Sequence, residues 1–245
     1  TGKIMKQEFL LNKYNKKGFI IIKKFLTKNE IKKCTKNLEY YASTFKRKNK
    51  RDINFTKDGK INSIHNLEKW LWIKKIRSKF PKSLLEKLVG KKSKNFGSEY
   101  FAKPAETGLA APIHQDNYYW CLDNELGITA WIALDKVDKK NGGVFYYEGS
   151  HKSGLLKHKP SFAPGSSQTI ENKLKLKKFT IVTPKLNLGD CIIHNAMIVH
   201  GSNKNISKSS RRGITIRYVP KDSKINKSQK KNYEKSLNKQ NKKFI

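Results

Sequence analysis

Cysteine is scarce in this chain. The 245 residues include three cysteines, an odd number, and no two of them have the C-x-x-C spacing. Neither a disulfide framework nor a zinc-thiolate site is therefore expected. Free thiols persist in reducing compartments, so the composition predicts a cytoplasmic protein. The three residues are Cys34, Cys121 and Cys191.

Long hydrophobic runs are also missing. The longest run, around Phe19-Ile20-Ile21-Ile22, is far shorter than the roughly 20 apolar residues that a membrane-spanning helix needs. The first residues are polar and rich in lysine, and they predict no secretory signal. Hydrophobic residues make up 36% of the chain, which suits a single globular domain with a charged surface.

Arginine is rare although the chain is strongly basic. Of 54 basic residues six are arginine, which leaves 48 lysines, and the formal net charge is +35. A basic charge is the usual footprint of a nucleic-acid-binding protein. Phosphate and base recognition, however, rely on the planar fork of arginine, and here lysines are spread along the whole chain. We therefore expect a solvated lysine coat and no nucleic-acid partner, with attraction of an anionic small molecule as the alternative.

Helical patterns occupy the N-terminal third of the chain. Thr27-Lys28-Asn29-Glu30 is a capping box, in which the Thr and Glu side chains bond each other's backbone N–H groups at the start of a helix. Helices are predicted over residues 7–16, 27–45, 67–80 and 81–90, and a polar surface loop is predicted over 46–66.

From about residue 96 the chain changes to short strands separated by turn residues. This order predicts a mainly β fold with flanking α-helices, built on a double-stranded β-helix (jelly-roll, cupin-like) core. One domain is predicted over 1–220, with a helical part over 1–95 and the β-helix core over 96–220. Within the core a strand covers 113–116 and a long polar loop covers 152–176; residues 221–245 form a solvated, lysine-rich tail with a helix over 228–237.

His114 and Asp116 are the first candidate metal ligands. On a β-strand, residues two apart point to the same face, so both side chains could bind one ion while Gln115 turns away. His200 is the leading candidate for a third ligand. Two histidines and one carboxylate form the facial triad of non-haem Fe(II) oxygenases, which leaves coordination positions open for substrate and oxygen.

The order of several short motifs resembles the phytanoyl-CoA dioxygenase family of Fe(II)/2-oxoglutarate-dependent oxygenases, from Gly18 to about Tyr218. Each motif is weak alone, but chance assembly in this order is improbable. The motifs are Lys17-Gly18-Phe19-Ile20-Ile21, Lys103-Pro104, His114-Gln115-Asp116, Thr129-Ala130-Trp131-Ile132-Ala133-Leu134-Asp135, Asn141-Gly142-Gly143, Gly149-Ser150-His151, Gly189-Asp190, His200-Gly201-Ser202 and Arg211.

The resemblance implies Fe(II) bound by His114, Asp116 and His200, with 2-oxoglutarate and O2 as cosubstrates. Arg211, eleven residues after His200, matches the arginine that binds the distal carboxylate of 2-oxoglutarate in this family. Other residues that the resemblance places at the cosubstrate are Ser202, Trp131, Thr129 and Lys103, with Arg217 as the fallback arginine.

The aromatic residues after the iron motif, Tyr118, Tyr119 and Trp120, are candidates for the wall of the substrate pocket, with plain core packing as the alternative. Four other histidines are not expected to bind the metal. They are His65, His151, His158 and His194.

The predicted activity is hydroxylation of an unactivated C–H bond of a small molecule, with release of succinate and CO2. Related halogenases have Ala or Gly in place of the carboxylate, so Asp116 disfavours halogenation. A nucleic-acid dealkylase of the same chemistry is one alternative, because Arg211 and Arg217 have its R-x5-R spacing. A non-catalytic cupin-like binding protein, or a metal-dependent isomerase, is another.

Overall fold

The computed structural model describes residues 2–45, 52–56, 58–163 and 166–242. In this part of the chain a seven-stranded and a four-stranded antiparallel sheet face each other. Between them lies an apolar cluster that includes Phe19, Trp131 and Tyr146, with the Phe19 and Tyr146 rings stacked at 4.8 Å. The predicted mainly β, jelly-roll architecture with flanking helices is therefore confirmed. None of the described helices combines the length and hydropathy that a bilayer crossing requires.

The large sheet forms the back of the fold. Its interior strand β6, Ile128–Ala133, is buried at every position, because helices cover its outer face and the small sheet covers its inner face. The strand order is β1-β11-β6-β13-β4-β3-β2. The strands are β1 Phe19–Ile22, β2 Ile53–Phe55, β3 Ile61–Ile64, β4 Ser93–Lys103, β6 Ile128–Ala133, β11 Cys191–Asn195 and β13 Arg211–Pro220.

Four helices precede or interrupt these strands, and their apolar stripes belong to one core cluster with the outer face of the large sheet. They are α1 Gly2–Lys17, α2 Lys28–Phe45, α3 Leu71–Arg77 and α4 Lys82–Val89. The capping box before α2 is confirmed: Thr27 N donates to Glu30 Oε2 at 2.7 Å, and Glu30 N donates to Thr27 Oγ1 at 3.3 Å. The single helix predicted over 67–80 is wrong, because Trp70 is extended (φ −75°, ψ 136°) and separates a 3-10 turn, Leu67–Lys69, from α3.

The small sheet carries the front of the fold, in the order β10-β7-β12-β5. Its register sets His200 directly opposite His114 on one side and Tyr146 on the other. The predicted turn at Asn141-Gly142-Gly143 precedes β7, with Gly142 in the left-handed region at φ 80°. The strands are β5 Ala111–His114, β7 Val144–Tyr147, β10 Ile181–Val182 and β12 His200–Ser202.

Both predicted polar loops contain strands. The segment predicted as a loop over 46–66 forms β2 and β3, which extend the edge of the large sheet; residues 46–51 lie outside the described residues. The segment predicted as a loop over 152–176 contains a hairpin of two further strands, β8 His158–Ala163 and β9 Ser166–Ile170. Polar side chains form these strands because they are bonded inside the fold, as with the fully buried Gln168.

The C-terminal segment is also more ordered than predicted. Helix α6, Lys227–Asn241, covers the predicted helix and extends beyond it, and it packs on the hairpin rather than lying in solvent. Ser236 Oγ donates to Gln168 Oε1 at 2.6 Å. The Gln240 amide accepts from Phe162 N at 2.7 Å and donates to Ala163 O at 3.3 Å.

Candidate metal centre

The three predicted metal ligands lie together between the sheets. Strand β5 ends at His114, and Asp116 opens a short helix, α5 Asp116–Trp120, so the strand predicted to reach Asp116 is two residues too long. Gln115 remains extended (φ −117°, ψ 133°), and His114 and Asp116 therefore still point to one side. With His200 they offer ligand atoms that lie within 4.8 Å of one another, the one such group of His, Cys, Asp and Glu in the described residues.

Hydrogen bonds set the tautomers of both histidines. His114 Nδ1 donates to Pro112 O at 2.8 Å, and His200 Nδ1 donates to Ile198 O at 3.0 Å. Each ring therefore carries its proton on Nδ1 and presents a free lone pair on Nε2. Burial and the neighbouring His114 lower the pKa of His200 to about 3, so this imidazole is neutral at physiological pH.

Asp116 is held as an ionised carboxylate. Its Oδ1 lies 3.7 Å from His114 Nε2 and 3.5 Å from His200 Nε2. Burial alone would raise the pKa of this carboxyl, but the surrounding imidazoles of His200, His114 and His194 hold the pKa well below its ordinary value. Its second oxygen, Oδ2, accepts hydrogen bonds from Thr129 Oγ1 at 2.6 Å and from His194 Nε2 at 3.2 Å.

His194 and Tyr146 form a buried chain behind this carboxylate. Since His194 Nε2 donates to Asp116, its Nδ1 accepts from the Tyr146 hydroxyl at 3.1 Å. Burial raises the pKa of Tyr146 well above its ordinary value, so the hydroxyl keeps its proton. The sequence predicts His194 as a barrel residue only; its contact with Asp116 depends on the pairing of β11 with β6, which sets His194 opposite Thr129.

Gln115, which lies between the two ligands His114 and Asp116, is held in place by its own hydrogen bonds. The Gln115 side chain is fully buried; its Nε2 donates to Gly154 O and Met197 O, and its Oε1 accepts from Leu156 N. Its backbone N donates to His158 Nε2 at 3.1 Å. Burial lowers the pKa of His158 to about 3, which keeps the ring neutral and able to accept. His158, for which the sequence offered no partner, therefore positions the ligand-bearing backbone.

The donor set fits Fe(II). Two imidazole nitrogens and one ionised carboxylate oxygen converge from three chain positions, each oriented by a hydrogen bond behind it. A three-ligand site of this kind leaves positions for further ligands, as in the facial triad of non-haem iron enzymes.

Arg211 and Lys103 are buried basic residues on the inner face of the large sheet, directly opposite each other on β13 and β4. Arg211 donates through Nε and Nη2 to Gly142 O at 3.1 and 2.9 Å, and Lys103 Nζ donates to Asn203 O at 2.6 Å. Among the described residues neither side chain forms an ion pair with a carboxylate. Burial, with the charge of Arg211 nearby, lowers the pKa of Lys103 to about 6, and burial lowers the pKa of Arg211 to about 10.

The Trp131 indole packs against this pair, with the Arg211 guanidinium carbon 5.2 Å from the ring. Gly213 makes room for it, because a Cβ at this position would lie 2.1 Å from the indole. Ser202 is buried on β12, two residues beyond His200, and its carbonyl lies 3.5 Å from Lys103 Nζ. Four of the predicted cosubstrate residues thus lie around one inner region; they are Lys103, Trp131, Ser202 and Arg211.

The remaining predicted residues lie elsewhere. Thr129 bonds the metal-ligand carboxylate and so acts on Asp116. Arg217, the fallback for Arg211, lies six residues further along β13 and pairs with Glu99 at 2.8 Å, and its role at the cosubstrate stays a prediction.

The aromatic residues of α5 diverge. Tyr119 alone turns its ring toward a ligand, edge-on to His114 at 5.4 Å, while Tyr118 stacks on His158 at 4.0 Å. Trp120 is buried in an apolar cluster with Leu122 and Val219. The substrate role of these three residues stays a prediction.

A family model for phytanoyl-CoA dioxygenase (PhyH) matches residues 14–213. The chain belongs to this family. Its match to the peroxisomal phytanoyl-CoA dioxygenase of Rattus norvegicus is 26% identical over 131 residues, which is 50% of this chain and 38% of the rat protein. The chain thus spans under half the length of that curated relative.

Solved structures share the fold. The carbocyclase SnoK from nogalamycin biosynthesis, described as non-heme and alpha ketoglutarate dependent, superposes with a TM-score of 0.73 and 18% identity, covering 89% of this chain and 86% of SnoK. The epimerase SnoN in complex with Fe3+, alpha ketoglutarate and nogalamycin RO superposes with a TM-score of 0.73 and 18% identity, covering 91% and 87%. These likenesses support the jelly-roll assignment.

Proposed function

We propose that this protein is an Fe(II)/2-oxoglutarate-dependent dioxygenase that hydroxylates an unactivated C–H bond of a small molecule, with release of succinate and CO2. One arrangement carries the proposal. Two imidazoles and an ionised carboxylate share the inside of the fold with two buried basic side chains, Arg211 and Lys103, that lack carboxylate partners among the described residues. The first group suits Fe(II), and the second suits a dicarboxylate. Family membership and the SnoN complex support the same pairing of metal and cosubstrate.

In this proposal His114, Asp116 and His200 hold the iron, and Arg211 binds the distal carboxylate of 2-oxoglutarate. The oxidation itself is chemistry that Fe(II), 2-oxoglutarate and O2 supply together. The Nδ1–H bonds of both ligand histidines leave Nε2 free for the metal, burial keeps His200 neutral, and the neighbours of Asp116 keep it ionised. The Trp131 ring beside Arg211 excludes water from the ion pair that would form there.

Hydroxylation is the proposed outcome within a fold that supports others, because SnoK is a carbocyclase and SnoN an epimerase. Asp116 disfavours halogenation, since a halide needs the coordination position that this carboxylate fills. The nucleic-acid dealkylase alternative is disfavoured by the shortage of arginine, six among 54 basic residues. A cytoplasmic location stays a prediction, and the rat relative carries peroxisomal in its name.

Iron-dependent succinate formation tests the proposal. We expect the wild-type protein to release succinate from 2-oxoglutarate with Fe(II), and to show a weak visible charge-transfer band under anaerobic conditions only when both are present. His114→Ala should lose the succinate and the band while its far-ultraviolet circular dichroism is unchanged. Unchanged succinate release in His114→Ala would contradict the ligand assignment, and a wild-type protein with no band would favour a non-catalytic binding protein.

A further inference from the structure

A second charged group lies on the inner face of the large sheet, beside the metal centre. Strand register places Arg217 directly opposite Thr129, whose hydroxyl bonds the ligand Asp116. Residues directly opposite across antiparallel strands point to the same face, so Arg217 shares the inner face with Thr129. Arg211 lies six residues back along β13, about 20 Å at the rise of a strand. The two arginines therefore lie at opposite ends of the inner face.

Arg217 belongs to a three-residue group that we call the inner ion cluster: His65, Glu99 and Arg217. Glu99 Oε1 accepts from Arg217 Nη2 at 2.8 Å and from His65 Nδ1 at 2.6 Å. Burial would raise the pKa of Glu99, but the hydrogen bond from His65 and the charge of Arg217 outweigh burial and lower it. The three side chains are 30%, 16% and 21% exposed, so the cluster is reachable from solvent.

The Arg217 guanidinium is held in place by contacts with Gly97, Trp120 and Glu99. It lies over Gly97, where a Cβ would come within 3.1 Å of Nη2, and its central carbon is 5.9 Å from the Trp120 ring. Nη2 bonds Glu99, whereas Nε is buried with no hydrogen-bond partner among the described residues. Nε is thus closed to a ligand, and the exposed 21% of the side chain is where a ligand oxyanion would meet the guanidinium.

Arg212, the next arginine on the same strand, differs from Arg217 because one carboxylate accepts two hydrogen bonds from its guanidinium. Arg212 is bonded bidentately by Asp135, with Nε to Oδ2 at 2.9 Å and Nη2 to Oδ1 at 2.8 Å. Asp135 also accepts from the Arg212 backbone N. As alternate residues of a strand face opposite sides, Arg212 lies on the face opposite to Arg211 and Arg217. The Nε and Nη2 donors of its guanidinium are both used by Asp135.

We propose that Arg217, positioned by Glu99 and His65, binds an oxyanion of the primary substrate, so that the substrate is a small molecule with a carboxylate or phosphate group. Arginine binds both groups through its planar fork. The net charge of +35 draws such anions toward the protein. The inference rests on the proposed function, because it assigns the substrate side of the same metal centre.

Equilibrium binding tests this proposal without turnover. The probes are benzoate and phenylphosphonate, with benzamide as the neutral counterpart, titrated into protein that is saturated with Mn(II) and 2-oxoglutarate. The wild-type protein and Arg212→Gln should bind both anions and not benzamide. Arg217→Gln should bind them about 10- to 100-fold more weakly, the loss expected for a charge-assisted hydrogen bond.

Two further variants separate binding from structure. Arg217→Lys keeps a partner for Glu99 and should bind the anions with intermediate affinity, because it loses only the fork. Glu99→Gln removes the competing carboxylate and should bind them more tightly than wild type, which a purely structural ion pair would not cause. The proposal is overturned if neither anion binds the wild-type protein, or if Arg217→Gln and Arg212→Gln bind them equally. Wild-type protein that binds the anions yet forms no succinate would instead refute the proposed function.

Discussion

Lys103→Met is expected to stabilise the protein in the absence of cosubstrate, although it removes a buried hydrogen bond. The lysine has a pKa of about 6 in the folded protein, against 10.5 ordinarily. In the unfolded chain the lysine has its ordinary pKa, three units above pH 7.5, and is charged. Folding at this pH therefore removes a proton from it, which costs ~4 kcal/mol. Loss of the bond to Asn203 O costs ~1 kcal/mol. The net gain of ~3 kcal/mol corresponds to a rise in Tm of about 6–12 °C for a chain of this size.

Thermal unfolding of the metal-free protein between pH 6 and 9 checks both the sign and the size. Between the two pKa values the unfolded chain holds a proton on Lys103 that the folded protein lacks, so wild-type stability rises with pH across this range. Met has no such proton. The stability advantage of Lys103→Met should therefore shrink toward pH 9, where the cost in the wild type falls to ~2 kcal/mol.

A lysine on the same strand provides the control. Lys94 is exposed on β4, and its Nζ also bonds a backbone carbonyl, that of Lys221 at 3.0 Å. Lys94→Met should leave Tm nearly unchanged at every pH. With Mn(II) and 2-oxoglutarate the order should reverse, because the anion stabilises the charged lysine and Lys103→Met cannot respond. A less stable metal-free Lys103→Met at pH 7.5, or an advantage that does not vary with pH, would refute the reasoning.

Three more predictions follow from hydrogen bonds around the site. Thr129→Val removes a donor to Asp116 and should weaken Mn(II) binding about 10- to 100-fold in a calorimetric titration; equal affinity would show that the hydroxyl does not position the ligand. Gln240→Ala removes the side-chain acceptor of the Phe162 N–H and should lower the free energy of unfolding by about 1–3 kcal/mol in urea; no loss would show that α6 is not docked. The pKa of His158 is lowered to about 3, so below about pH 6.5 the unfolded chain binds a proton there that the folded protein does not, and stability falls with pH. His158→Gln should reduce this loss of stability in unfolding scans from pH 4 to 7. An unchanged dependence of stability on pH would contradict the prediction.

The clustering of the candidate ligands could be predicted from sequence because part of their geometry is local. His114 and Asp116 are two residues apart, and an extended Gln115 is enough to align them. His200 and Arg211 follow in the order that the family resemblance implies. The chemistry of the centre therefore depends on short spacings that remain visible in a linear chain.

The groups behind the ligands could not be predicted, because they depend on strand register. His194 meets Asp116 only since β11 pairs with β6 so that His194 lies opposite Thr129. The same pairing rules place Arg217 and Glu99 in contact across β13 and β4. No short stretch of sequence encodes which residue of a distant strand lies opposite.

Polar strands were missed for a different reason. The hairpin of β8 and β9 has few apolar residues, so its alternation is invisible to a hydrophobic pattern, and its contacts are side-chain hydrogen bonds from Tyr119 and α6. Helix α6 likewise buries two polar side chains, Ser236 and Gln240, beside the Tyr233 ring that contacts Tyr118 and Tyr119. Polar docking of this kind leaves little trace in composition.

The position of β13 limits where the protein can be truncated at its C-terminal side. The family match ends at residue 213, near the start of a strand that runs Arg211–Pro220 in the middle of the large sheet. A form cut there would lose Ile214 and Ile216, both fully buried, and most of the strand that joins β4 to β6 in the sheet. It would also discard Arg217 and α6. The smallest useful unit therefore extends through α6, well past the boundary that family resemblance alone suggests.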